Sequence, residues 1–166
     1  MATFQLSEPI VRAVLARLED DLPAVITEIN AESTDGYDLR EPEAIYPHIP
    51  SVGLLRLWPS LGVQELPLTL RDDIGTSALA SVELAVVAFD QSPDLAELGW
   101  RLRRWERALA TVLLAGRELG TAGSAAHLVT LSTTRPGPTL GDHEDPEKVK
   151  TFSSWTAVVI HCEREE

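Results

Sequence analysis

The sequence predicts one α/β domain of the α+β type: a mostly antiparallel sheet with two main helices packed on it, in the order α-β-β-β-α-β-β. Three observations predict it. Two segments repeat apolar residues at steps of three and four, the spacing of one helix face. Two others alternate from residue to residue, as strands do. The links between successive strands are short, which suits antiparallel pairing. The length of 166 residues fits one ordinary domain, 1–166. A domain of that size buries roughly two-thirds of its unfolded surface and folds without metal or disulfide.

Ser7 is the expected N-cap of the first helix, with Glu8 and Pro9 in its first turn. Ile10, Val11, Val14, Leu15 and Leu18 follow at helical spacing. Pro23 is expected to interrupt or kink this helix. Asp21 then caps a restart that carries Val25, Ile26 and Ile29 to about Glu32. Residues 33–50, rich in Asp, Gly and Pro, read as a long loop of the kind that is functional or held by a neighbour. Residues 52–58 and 62–70 read as strands joined by a turn at Pro59-Ser60, with Pro67 making the second an edge or a short strand. The strongest strand is 76–89. Val82, Leu84, Val86 and Ala88 face one way; Glu83, Ala85, Val87 and Phe89 face the other. A strand apolar on most of both faces is central or packed at an interface.

Asp90 or Ser92 is expected to cap the second helix, with Pro93 at its start and Gly120 near its end. Its Leu95, Leu98, Leu102, Trp105, Leu109 and Val112 form one apolar stripe, assigned to the core. A strand at 127–134 follows. The stretch 135–148, with its prolines and glycines, reads as a long turn or projecting arm. In the last strand, 152–162, Trp155, Ala157 and Val159 alternate with Thr156, Val158 and Ile160.

At about 100° per residue Trp100 lies nearly opposite the leucine stripe, with Glu97, Arg104 and Arg107 as outer neighbours. Two readings stay open. The indole lies flat on its own domain, stacked by an arginine. Or Trp100, Arg104 and Arg107 form a subunit interface, since Trp and Arg are enriched at binding hot spots and the arginines complement otherwise acidic copies.

The chain carries 14 Lys+Arg against 26 Asp+Glu, a formal net charge of -12. Tight binding to a phosphate backbone needs clustered positive charge, so a stable nucleic-acid binder is disfavoured. The acidity either serves solubility or makes a wall past which DNA slides. No apolar run approaches the ~18 residues of a membrane span, no signal peptide is evident, and a cytoplasmic origin is expected. The single cysteine, Cys162, excludes an intramolecular disulfide.

Chemistry-bearing motifs are weak. His48, His127, His143 and His161 have no metal-ligand spacing with one another or with Cys162. His161 and Cys162 are adjacent, and strand alternation sends them to opposite faces. His143-Glu144-Asp145 reads as a solvated charge run, Asp72-Asp73 with Gly75 as a turn, and Gly116–Gly123 lacks a phosphate-loop lysine. No enzyme activity, cofactor or metal is expected.

The layout resembles the tail terminator (neck) proteins of long-tailed bacteriophages across nearly the whole chain, without a diagnostic motif. The resemblance rests on the first helix, Val11-Arg12-Ala13-Val14-Leu15-Ala16-Arg17-Leu18 followed by Leu22-Pro23-Ala24-Val25. It continues through the long central strand 79–89, the single long helix 93–119, the strand from His127, the extended polar turn and the closing strand 152–162. It implies a virion protein, assembled in the host cytoplasm. Its ring, a homohexamer, would cap the tail tube, join it to the head-tail connector and let DNA pass without specific binding. Members of that family have no catalytic residues, so none are carried over. The chain is long for the family, with 33–50 as the insert. Another neck ring, for head closure or tail completion, is the alternative, and a non-viral ligand-binding domain is a third reading.

Overall fold

The computed structural model describes residues 8–66, 69–71, 79–116, 118–119 and 128–165. Helix α1 spans Glu8–Glu32 and buries Ile10, Val14, Leu18, Leu22, Ile26 and Ile29 along one line. Contrary to the expected break, it runs through Pro23. Proline costs a helix interior about 3 kcal/mol. Each buried aliphatic side chain returns about 1.5–3 kcal/mol, and the ridge continues on both sides of the proline. Asp21 therefore caps nothing; it is an exposed residue inside the helix. The expected Ser7 cap lies outside the described residues.

Among the described residues seven strands make one sheet of order β1-β2-β4-β7-β5, with β3 on β4 and β6 on β7. They are β1 (Ala44–Tyr46), β2 (Ser60–Glu65), β3 (Thr69–Arg71), β4 (Leu79–Ser92), β5 (Leu128–Pro136), β6 (Leu140–Gly141) and β7 (Phe152–Glu165). All pairs are antiparallel except β1 with β2. The expected fold class holds. Helix, strand block, helix and strand block follow one another as the sequence predicts.

Three local expectations are corrected. Residues 33–50 are not all loop, because Ala44–Tyr46 pairs with β2. Residues 52–58 form no strand. Val52–Leu54 is a single 3-10 turn, and the segment lies across the sheet. There Leu55, Val52 and Trp58 pack with Ala85, Val87, Phe89, Ala157 and Val159. Val52, Leu55 and Trp58 thus cover the second face of β4 and β7. That cover explains why β4 is apolar on both sides. Third, the strand expected at 62–70 is two, β2 and β3, each pairing its own length of β4. Pro67 lies outside the described residues, as do residues 76–78 and His127.

On the other face Val82, Leu84, Val86, Ala88, Val158, Ile160 and Cys162 meet the buried lines of both helices. Helix α2 spans Leu95–Leu114. Its cap is Asp94, whose carboxylate accepts from the backbone N–H groups of Ala96 and Glu97. Asp90 and Ser92 do not cap it, because β4 runs on through Ser92. The two helices run antiparallel. Arg17, early in α1, donates to the carbonyls of Leu113 and Glu118, while Glu32 at the end of α1 pairs with Arg107.

Candidate interaction face of the second helix

The start of α2 is fixed from below by a buried polar network. Asp90, near the end of β4, is 2% exposed, and Arg101, two turns from the cap, is 6% exposed. One guanidinium nitrogen of Arg101 donates to Asp90 Oδ1 at 2.9 Å and to the Gln91 carbonyl; the other donates to Glu97 Oε1 at 3.2 Å. Trp105 Nε1 donates to Asp90 Oδ2 at 3.0 Å, and the Ser92 hydroxyl to Glu97 Oε2 at 2.9 Å. Burial pushes the Asp90 carboxyl above the usual carboxylate range, and the charge of Arg101 and the Trp105 hydrogen bond pull it back. The apolar stripe is accordingly corrected. Leu98, Trp105, Leu109 and Val112 are buried together with Arg101, Ala108 and Leu113, whereas Leu95 is exposed and Leu102 is half-buried.

Above this network the outer side of α2 is bare. Leu95, Ala96, Gly99, Trp100 and Arg103 are all exposed, Trp100 by half. A Cβ built on Gly99 would meet nothing within 4 Å. The arginine over the indole is Arg103, 5.0 Å from the ring centroid. Arg104 and Arg107, grouped with Trp100 by helical spacing, are engaged elsewhere. Arg104 pairs with Asp35 and donates to the Tyr37 carbonyl. Arg107 pairs with Glu32 at 2.6 Å. The hydrogen bonds from these arginines hold the Glu32 and Asp35 carboxyls below their ordinary range. They also fasten the start of the 33–50 segment, where Gly36 takes a φ of 77° and Asn30 brackets the buried Leu39 through two 2.8 Å hydrogen bonds. Arg101 and Arg103 were missed by sequence reasoning. For Arg103 a signal existed, since it is three residues from Trp100.

A trough of about 770 Å³ lies at the other end of the helical layer, between the first turns of α1 and β2. Val11, Leu15, Ile49 and Val63 give it aliphatic walls, and the polar side chains of Glu8, Arg12, Gln64 and Glu65 stand exposed around it. A small-molecule site fixes its ligand with a few convergent polar groups. Here the polar groups sit on the rim.

The remaining candidates are placed as follows. Cys162 is buried on the helix side of β7, where burial pushes its thiol up to about 12. His161 lies 3.3 Å from Glu163. Asp145 caps the short 3-10 turn Pro146–Lys148 beside His143 and Glu144. Among the described residues, no group of three His, Cys, Asp or Glu could hold a metal. Asp72, Asp73 and Gly75 lie outside the described residues, as do 120–123 of the glycine-containing stretch.

No protein-family model matches the chain, and no curated protein matches it. Its structure is similar to a chain from the virion of a native gene transfer agent particle. The TM-score is 0.58, over 99% of this chain and 100% of that chain, at 14% identity. That likeness establishes a shared fold along the full length of both chains.

Proposed function

We propose that the chain is a non-enzymatic structural subunit of a virion, and more narrowly the tail terminator of a long-tailed phage. In this reading identical copies form a ring, a hexamer, at the head-proximal end of the tail tube. The ring touches the tube protein on one side and the head-tail connector on the other, and DNA passes through its centre. The observation that carries the reading is the end-to-end fold likeness to a virion chain, which accords with the phage-neck layout of the element order. Two further properties support it. The net charge of -12 gives a ring whose lumen repels a phosphate backbone, so DNA is not held there. The trough offers no convergent buried polar groups for a substrate.

Native mass measurement of the purified chain, alone and with its tail tube protein, tests the proposal. A closed ring of six copies is expected. A monomer under every condition, tube protein included, would overturn it. Head closure or tail completion is the second reading, because the same fold likeness supports any virion ring. Crosslinking separates the two: a terminator touches tube protein on one side and connector on the other.

A further inference from the structure

We propose that copies of this chain join head to tail, the Trp100 face of one α2 entering the trough between α1 and β2 of the next copy. The inference rests on the ring reading and supplies its contact. Closed rings need a contact between two different patches of the same subunit. The structure offers two patches that suit each other and cannot meet within one chain.

The first patch is convex. Trp100 stands out from α2 next to the bare Gly99, with Arg103 against its ring. The second is concave, with Val11, Leu15, Ile49 and Val63 as walls. The antiparallel helices place them at opposite ends of the layer. Arg107 reaches the end of α1, and the carbonyls of Leu113 and Glu118 lie against Arg17. The start of α2 therefore lies beyond the end of α1, and the start of α1, with the trough, lies beyond the end of α2.

Charge selects the occupant. Among the described residues of α2, Arg101, Arg104 and Arg107 each hold a carboxylate of their own chain, and Arg103 holds none. The trough rim carries Glu65, which has no cation partner among the described residues, and Glu8, which shares Arg12. A cation beside an indole thus faces an apolar trough whose rim carries His48, the Glu8–Arg12 pair and one carboxylate, Glu65, with no cation partner among the described residues. In a chain this acidic, Arg103 is the α2 charge left over for a second copy, and docking brings it against the Glu65 rim. The network of Asp90, Arg101 and Trp105 keeps the first turns of α2 rigid, so little ordering entropy is lost on docking.

The test uses the full chain with its tail tube protein, reading ring mass and the subunit dissociation constant. Trp100→Ala is expected to weaken association ~30-fold or more, the loss typical of a hot-spot tryptophan. Arg103→Glu is expected to weaken it about tenfold, and Arg103→Glu with Glu65→Arg to restore most of that loss. Thermal melting of each monomer should stay at the wild-type value, since none of Trp100, Arg103 and Glu65 is buried. If wild type forms rings and the single variants form them equally well, the contact lies elsewhere and the inference fails while the ring reading stands. Weakening by Arg103→Glu without rescue by the double variant overturns the pairing with Glu65. If wild type never forms rings, the ring reading fails first.

Discussion

Arg101 lies on the side of α2 that the leucine spacing assigns to the core, and no spacing rule foresees a charge there. It is tolerated because its guanidinium meets Asp90, Glu97 and the Gln91 carbonyl together. A buried pair of this kind adds little net stability, but removing one partner strands the other. Arg101→Met should therefore cost about 3–5 kcal/mol in chemical denaturation at pH 7. The pH dependence follows from Asp90. Its folded carboxyl already sits above its ordinary value, so what it contributes to stability falls as pH rises through the folded value. Without Arg101 the upward shift grows. The deficit against wild type should then be largest at neutral pH and shrink as the pH falls and Asp90 takes up a proton. A deficit independent of pH would show that lost packing, not the stranded carboxylate, is responsible. Adding Asp90→Asn should recover part of the loss. Trp100 was legible at this scale, because an angle of about 100° per residue places it off the core. The role of Arg104 was not, because Asp35 lies 69 positions away in sequence and only the fold brings it near.

At the scale of elements, periodicity identified the pieces whose neighbours enforce it. Strands β4 and β7 alternate because most side chains of 82–89 and 157–162 face one of two apolar layers, and their fourteen-residue register holds without a shift. Residues 52–58 misled because Val52, Leu55 and Trp58 face one apolar layer as a covering segment and not as a strand, while Leu54 and Leu57 are exposed. Strand β1 was invisible because three residues carry no period, and its pairing is set by contact with β2. That contact turns on Gly62. A Cβ there would come within 2.7 Å of the His48 carbonyl oxygen and 3.1 Å of the Pro50 ring. Backbone cannot yield as a flexible side chain can, so Gly62→Ala should destabilise the chain by about 1–3 kcal/mol. Hydrogen exchange should show the loss first at 44–50. An unchanged denaturation midpoint would mean that the close approach relaxes freely.

For the molecule as a whole, the order of elements was readable because two amphipathic helices and two long alternating strands dominate a chain of 166 residues. The relation between surfaces was not readable. The trough draws on residues 8–15, 47–49 and 63–65, and no local pattern ties these together. The same sheet that builds the core also hides the chain's single thiol, Cys162. A protonated, enclosed sulfur reacts slowly with electrophiles. The folded protein is thus nearly blank to maleimide dyes, and a cysteine introduced at Glu65 or Ala96 becomes the one address they reach. Donor and acceptor fluorophores on separate copies would then report their spacing by energy transfer, without any need to remove the native residue first.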